Sequence, residues 1–197
     1  MNKTSYVHKI GVSCLESFKD PTYPYNNYNN YSNNYNNVPA RKNFPRLKVI
    51  VRGLDECWQA DFIDMKAHSG VNRDFKYILT VIDNLSKFGF SQPLKSKEVT
   101  AIEAALAKIF KAGRIPQKLQ TYSGTEFYNT KVDAVLNKGG VKLYSTYSPL
   151  KASLVKRFNR TLKGKRYKLF TIKGNYKWID ELAGVVAEYN RTKHRAI

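Results

Sequence analysis

The chain has 197 residues and carries 34 Lys or Arg against 15 Asp or Glu, a formal net charge of +19 at neutral pH. Such an excess favours a polyanion as partner, above all nucleic acid, because cations that neutralise phosphates release condensed counterions. Two cysteines and three histidines exclude a disulfide-stapled scaffold and a zinc finger of the two-Cys, two-His type. No stretch of eighteen apolar residues and no recognisable signal peptide occur, so we expect a soluble intracellular protein, nuclear if it binds DNA, without a membrane partner.

Composition divides the chain into three parts. Residues 1–21 form an N-terminal segment with no assigned role. Residues 22–40 form an Asn/Tyr-rich low-complexity segment that holds five Tyr and eight Asn between positions 22 and 37, too few apolar groups for a core. We predict a linker there, and self-association or stacking on single-stranded bases is the alternative. Residues 41–197 carry +18 of the net charge and are long enough to fold as one domain.

Three strands are predicted in the first half of this domain. After a short apolar run at 47–51, alternation predicts a strand over 58–65. A continuous apolar run predicts a central strand over 77–83, and a third, shorter strand covers 89–94. Because the connections are short and hydrophilic, we expect an antiparallel meander.

The apolar spacing then becomes helical. Residues 98–113 predict an amphipathic helix that ends at Gly113. The remaining predicted elements are a strand at 118–122, a helix at 132–140, a strand at 141–147, a long helix after Pro149 and a last helix from Trp178. A strand, a helix and a strand in succession imply parallel pairing through a crossover. The fold class is therefore α/β, with a mixed five-stranded sheet of three antiparallel and then two parallel strands, flanked by helices.

Three local strings, in this strand order, resemble the catalytic core of retroviral-type integrases, of the DDE superfamily, whose fold is ribonuclease-H-like. They are WQADFIDM in the first strand, TYSGTEF after the fourth and KASLVKRFNRTLK at the start of the long helix. The sequence is also similar to the integrases of the Maverick (Polinton) DNA transposons. The resemblance runs from about Phe44 to Ile197 and identifies residues 41–197 as an integrase-core-like domain.

The resemblance implies a site in which three carboxylates hold two Mg²⁺ or Mn²⁺ ions for phosphoryl transfer between DNA strands. The first carboxylate corresponds to Asp61. The second position is Tyr122 here and the third is Lys156, so the catalytic triad is degenerate. The formal charge of the site changes from −3 to about 0. A divalent cation therefore loses two of its carboxylate ligands and the negative electrostatic potential that would attract it. We therefore expect no cofactor, no useful metal affinity beyond a doubtful contribution of Asp61, and no strand transfer.

Three other carboxylates are candidates to rescue the metal site. Asp64 lies three residues beyond Asp61 on a strand, which places it on the opposite face. Asp83 and Glu126 match positions that are not primary ligands in the resembling family. A residual metal-dependent polynucleotidyl transferase or nuclease that uses Asp61 with one of them is the alternative reading.

Basic residues concentrate at the long helix. Between positions 151 and 173 there are nine Lys or Arg and no acidic residue, whereas a solvated helix face normally mixes both signs. Spacings of four and seven place Lys156, Arg160 and Lys163 on one side, opposite an apolar side. We predict a nucleic-acid-binding surface made of Lys151, Lys156, Arg157, Arg160, Lys163, Lys165 and Arg166.

Other residues have structural interpretations. Trp58 and Phe62 are predicted to be core rather than base-stacking groups, Asn159 to make local contacts, and His194 to be structural or exposed.

Three hypotheses remain for function. The first is a transposon-derived module that binds DNA without cleaving it, alone or in a homo-oligomer or a mixed assembly with an active integrase. The second is an enzyme with an altered metal site. The third is a self-associating protein in which the Asn/Tyr segment is the working part. Tyr from Asp and Lys from Glu are single-base changes, which fit both a decayed relic and a repurposed protein. Because no further DNA-binding element flanks the core, autonomous recognition of transposon ends is not expected.

Overall fold

The computed structural model describes residues 50–121, 126–145 and 152–194. The segments 1–21 and 22–40, and the first residues of the predicted domain, lie outside the described residues. The five strands are β1 (Cys57–Asp64), β2 (Tyr77–Asp83), β3 (Gly89–Leu94), β4 (Lys118–Thr121) and β5 (Lys142–Ser145). The helices are α1 (Val99–Phe110), α2 (Thr130–Lys138), α3 (Ser153–Lys173) and α4 (Leu182–Arg191), with a short 3₁₀ helix at Lys66–His68.

The strands form one mixed sheet in the order β3-β2-β1-β4-β5. The pairs β1 with β2 and β2 with β3 are antiparallel, whereas β1 with β4 and β4 with β5 are parallel. The predicted α/β fold, with a meander followed by two parallel strands, is confirmed. Two boundaries differ: α2 begins at Thr130 rather than at Val132, and α4 begins at Leu182 rather than at Trp178.

Two hydrophobic clusters lie on the two faces of the sheet. On one face Trp58, Ala60 and Leu79 pack against α1 and α2. On the other face Ile63 and Ile78 pack against α3 and α4. Since successive side chains of a strand point to opposite faces, β1 presents 58, 60 and 62 to one cluster and 59, 61 and 63 to the other. Asp61 is thereby directed towards α3.

None of the helices within the described ranges combines the length with the apolar character needed to cross a bilayer.

Candidate functional site

Asp61 is the centre of the candidate site. Its carboxylate accepts hydrogen bonds from the backbone N–H of Phe62 at 2.8 Å and from Nδ2 of Asn159 at 3.1 Å. The side chain is half-buried beneath α3. Burial raises the pKa of Asp61 above its ordinary value, because the loss of solvent outweighs the opposing effects of the Phe62 N–H and of nearby lysines.

The prediction of local contacts for Asn159 is wrong, because its side chain bonds to Asp61 in β1 and to Thr80 in β2. Oγ1 of Thr80 lies 2.7 Å from Oδ1 of Asn159 and 3.0 Å from the backbone oxygen of Asp61, so its single proton is shared between two acceptors. Thr80 and Asn159 are both buried, and Thr80 is the β2 residue paired with Asp61. The three residues form one polar network inside the cluster between the sheet and α3, where each group depends on the others for its partner.

Lysines surround the Asp61 carboxylate. Lys156, Lys97 and Lys163, in that order of effect, favour its ionised form. Lys156 and Lys163 lie three residues before and four residues after Asn159, on the same side of α3. Lys97 reaches the site from the connection between β3 and α1, with its ammonium 4.9 Å from the centre of the Phe62 ring. Oε1 of Glu126 lies 3.2 Å from Nζ of Lys97, so two carboxylates face three ammonium groups and the local charge is positive by one.

The start of α3 is fixed by a side chain of β1. Oε1 of Gln59 accepts hydrogen bonds from the backbone N–H groups of Leu154 and Val155, both at 3.0 Å. Nε2 of Gln59 donates to Oε1 of Gln120 in β4 at 2.9 Å. Ala152, which precedes α3, has a left-handed backbone (φ 42°) and provides no side-chain cap. Gln59 therefore satisfies helix N–H groups that a neighbouring Ser or Asp usually satisfies, and it holds α3 over β1.

The predicted metal positions are not brought together as a carboxylate cluster. Tyr122 lies outside the described residues, and Lys156 is exposed on α3. Within the described ranges, no group of three His, Cys, Asp or Glu could hold a metal ion. Mg²⁺ requires several oxygen ligands, and ammonium groups near Asp61 repel it. The described side chains therefore do not fit a site for two divalent cations.

The three candidate rescue carboxylates lie elsewhere. Asp64 is exposed, three residues from Asp61 on the opposite face of β1, and its Oδ2 is 3.7 Å from Nζ of Lys66. Asp83 is fully buried on the α1 face of the sheet, where Nη2 of Arg114 lies 2.8 Å from its Oδ2. Glu126 is linked to the Asp61 site through a shared lysine. Its Oε1 lies 3.2 Å from Nζ of Lys97, which also favours the ionised form of Asp61. Each of the three already has a cationic partner.

The basic residues of α3 fall into groups that composition did not distinguish. Lys156, Arg160 and Lys163 are exposed on one side of the helix, and we call these three residues the basic α3 face. Arg157 is also exposed, on the adjacent flank. The basic α3 face is continuous with the Asp61 site through Lys156 and Lys163.

Three residues of the predicted binding surface are placed differently. Lys151 lies outside the described residues. Lys165 is half-buried, with its Nζ 2.5 Å from Oε1 of Glu188 in α4. Arg166 is not on the surface, because only 7% of it is exposed and its Nη1 contacts Sδ of Met65. Burial lowers the pKa of Arg166, and its guanidinium lies 5.6 Å from the centre of the Phe170 ring. Its helical position places it with the apolar residues.

The two aromatic residues near Asp61 belong to the core, as predicted. Trp58 is fully buried and stacks on Phe90, with ring centres 4.8 Å apart. Phe62 stacks on Phe127 at 4.9 Å. Neither ring presents a face for a base.

Parts of this chain are similar in sequence to known proteins. No protein-family model matches the chain. The chain is 36% identical over 134 residues to an uncharacterised transposon-derived protein of Caenorhabditis elegans, in a match that covers 68% of this chain and 47% of that protein. It is 32% identical over 95 residues to the human KRAB-A domain-containing protein 2, covering 48% of this chain and 19% of that protein. The chain thus spans about half or less of the length of these relatives.

Solved structures resemble the fold more fully. An integrase chain in the cryo-EM structure of a simian T-cell lymphotropic virus intasome, in complex with the PP2A regulatory subunit B56 gamma, matches with a TM-score of 0.66, 19% identity and coverage of 79% of this chain and 55% of that chain. The chain has the fold of a retroviral integrase catalytic core. The HTLV-2 integrase catalytic core with magnesium matches with a TM-score of 0.60, 16% identity and coverage of 71% and 89%. The BIV core matches with a TM-score of 0.57, 14% identity and coverage of 71% and 86%.

Proposed function

We propose that this integrase-core-like protein binds DNA through the basic α3 face and does not cleave it. The observation that carries the proposal is the charge of α3. Lys156, Arg160 and Lys163 are exposed on one side of a helix whose sequence from 151 to 173 has no acidic residue. The exposed side of an ordinary soluble helix usually carries both positive and negative residues. A uniformly positive side is suited to binding the negatively charged phosphate backbone of nucleic acid.

The Asp61 site extends this surface. Lys97 approaches from another element of the fold and adds a cation on the sheet side of the basic α3 face. A phosphate that approaches Asp61 meets three ammonium groups against two carboxylates, the second being Glu126, the partner of Lys97. The attraction to a polyanion is then supplied by the side chains themselves, which makes DNA binding independent of divalent cations.

The same residues argue against strand cleavage. Two of the three positions that the resemblance assigns to metal ligands hold Tyr122 and Lys156, and Asp61 keeps its carboxylate oxygens engaged with Phe62 and Asn159. Metal-assisted phosphoryl displacement needs ions that clamp the attacking and leaving oxygens. We propose that Mg²⁺ and Mn²⁺ do not bind here with useful affinity, so the function is binding rather than catalysis.

The DNA-binding proposal is tested by measuring affinity against salt. The triple variant Lys156→Gln, Arg160→Gln, Lys163→Gln removes the basic α3 face. The matched control is Lys108→Gln, Lys131→Gln, Lys138→Gln, which removes the same charge from exposed positions of α1 and α2 on the other side of the sheet. By fluorescence anisotropy with duplex DNA, the first variant should lower the slope of log affinity against log salt by about 3, and the control by less than about 1. If the two variants lose DNA affinity equally, the affinity depends only on the net charge of the protein and the proposal is wrong.

Catalysis is tested separately with metal. Calorimetric titration of Mg²⁺ and Mn²⁺ is expected to give no heat of binding for the natural chain, and binding for the double variant Tyr122→Asp, Lys156→Glu. Glu126 is the carboxylate that the alternative enzyme would use, because Lys97 connects it to the Asp61 site. Metal-dependent DNA nicking that disappears in Asp61→Ala would establish that alternative.

We further propose a nuclear, transposon-derived protein of Maverick type that assembles with copies of itself or with an active integrase. The support is the resemblance of the core together with the transposon-derived C. elegans relative and the dimeric and trimeric forms of the HTLV-2 core. Sedimentation equilibrium of the full chain tests self-assembly, and a monomer at all concentrations would contradict it.

A further inference from the structure

A cavity of about 210 Å³ lies between the end of β2, the start of α3 and the end of α4. Three basic side chains line it, Lys87, Arg157 and His194, beside the rings of Phe158 and Tyr189. No acidic residue is among its described lining. We propose that this cavity binds a phosphate group of the bound polynucleotide. The inference rests on the proposed function and adds a second contact region to it, distinct from the basic α3 face.

No acidic side chain among the described lining of the cavity pairs with Lys87. Burial lowers the pKa of Lys87, the attraction of Asp83 opposes this effect, and the nearby charge of Arg157 lowers the pKa further. Asp83 lies on the other face of the sheet and is occupied by Arg114 and Ser86. Lys87, which is half-buried, and Arg157, which is exposed, are therefore two like charges at one cavity. A phosphate between them would replace repulsion by two charge-assisted hydrogen bonds.

The backbone at Lys87 is strained for a residue of its type. Its φ of 58° lies in the left-handed region, which favours glycine and asparagine over lysine. The turn holds the side chain so that Nζ donates a hydrogen bond to the backbone oxygen of Asn84. An ammonium has three donors, so two of them can be directed at a ligand. Strained backbone is often found at functional sites, and here it places the Lys87 ammonium at the cavity.

The position and size of the cavity favour a polynucleotide over a free small molecule. Arg157 follows Lys156 directly and lies three residues before Arg160, so the cavity adjoins the basic α3 face. A volume of about 210 Å³ is smaller than the roughly 300 to 1,000 Å³ of small-molecule sites. It suits a phosphate with part of its sugar. The guanidinium fork of Arg157 matches phosphate oxygens in pairs.

His194 supplies a third donor. Its ring packs on Tyr189 with ring centres 4.7 Å apart. Its Nε2 is buried and has no hydrogen-bond partner among the described residues. In the tautomer that carries hydrogen on Nε2, this nitrogen can donate to a ligand oxygen, which would satisfy a buried group that otherwise lacks a partner among the described residues.

The test uses the full chain and the variant Lys87→Asn. Asparagine tolerates the left-handed backbone, so this variant should be at least as stable as the natural chain and isolates the charge. The control is Arg73→Asn, because Arg73 also has a left-handed backbone (φ 54°), is exposed and lies at the opposite side of the fold, paired with Asp180. We expect Lys87→Asn and Arg157→Gln each to weaken DNA binding on the order of five- to tenfold and to lower the salt slope by about 1. Arg73→Asn should change neither.

The possible outcomes separate this inference from the proposed function. If the triple variant of the basic α3 face loses affinity while Lys87→Asn and Arg157→Gln do not, the inference is wrong and the proposed function stands. If the natural chain binds no DNA, the proposed function itself fails, and the polynucleotide assignment of the cavity fails with it. Inorganic phosphate, titrated while the NMR signals of His194 are followed, tests the other source of the same chemistry. If inorganic phosphate binds in the cavity but Lys87→Asn binds DNA as tightly as the natural chain does, the polynucleotide assignment is wrong.

Discussion

Nδ2 of Asn159 donates a hydrogen bond to Oδ2 of Asp61 across 3.1 Å, and this contact connects the second turn of α3 to the middle of β1. Oδ1 of the same amide lies 2.7 Å from the hydroxyl of Thr80 on the neighbouring strand. An amide can serve both a carboxylate acceptor and a hydroxyl donor, which a carboxylate at position 159 could not do without a proton. Asn159 therefore stabilises Asp61 as part of the fold.

Removal of the Asn159 amide should destabilise the domain. Asn159→Ala leaves the Asp61 carboxylate without one of its two donors, and the expected loss is about 1 to 3 kcal/mol in the free energy of unfolding, measured by urea denaturation. Asn137→Ala is the control, because Asn137 is exposed on α2, and its effect should stay within about 0.5 kcal/mol. Equal stabilities of the two variants would show that the network contributes nothing.

The raised pKa of Asp61 predicts a pH-dependent stability. A carboxyl whose pKa is higher in the folded than in the unfolded state binds protons more tightly when folded, so it destabilises the fold at neutral pH. This destabilisation disappears as the pH falls through the raised pKa towards 3.8, the ordinary value. The free energy of unfolding of the natural chain, measured relative to that of Asp61→Asn, should therefore rise as the pH falls from 7 through the raised pKa.

The measurement is urea denaturation across this pH range, together with NMR titration of the Asp61 carboxyl. Asp74→Asn changes the net charge equally at an exposed residue with a left-handed backbone, and it controls for charge. An NMR pKa of Asp61 below 3.8 would reverse the sign of the expected effect.

The element order was predictable because the apolar patterns of this chain agree with its local preferences. The continuous apolar run of β2 became the strand buried on both faces, and the helical spacing before Gly113 became α1. The crossover logic also gave the parallel pairs β1 with β4 and β4 with β5. Where α4 begins was not fixed by pattern, since Trp178 is buried without being helical.

The site residues were harder to predict than the fold. Composition grouped Arg166 with the surface cations, although it lies four residues after Leu162 on the buried side of α3. Asn159 follows the same logic, four residues after Val155, and helical periodicity could have marked both as inward-facing. Lys97 and Thr80 join the site through tertiary contacts that no local pattern records.

Gln59 is expected to control the start of α3. Gln59→Leu keeps a similar volume but removes the oxygen that accepts from Leu154 and Val155 and leaves the Gln120 amide without this partner. The free energy of unfolding should fall by about 1 to 3 kcal/mol. Hydrogen exchange should accelerate at the first turn of α3 more than at its centre. Gln117→Leu, at an exposed position before β4, is the control and should alter neither quantity.

Arg114 forms two ion pairs, one of them with a fully buried carboxylate. Its Nη2 lies 2.6 Å from Oδ1 of Asp55 and 2.8 Å from Oδ2 of Asp83, and the Asp83 side chain is fully buried. Burial opposes the ionisation of Asp83, but hydrogen bonds from Ser86, Leu85 and Arg114 outweigh it and lower the pKa of Asp83. The stabilisation by Asp83 is therefore present above the ordinary pKa of 3.8 and is lost only as the pH falls through its lowered value.

Arg114→Met should then cost about 3 to 5 kcal/mol of unfolding free energy at pH 7, because it leaves a buried charge without its partner. The double variant Arg114→Met, Asp83→Asn removes that charge and should recover part of the loss, which a double-mutant cycle in urea measures. Lys111→Gln, three residues away and exposed, is the control for the loss of one positive charge. A double variant no more stable than Arg114→Met would mean that Asp83 is stabilised mainly by the turn at Leu85 and Ser86 rather than by the guanidinium.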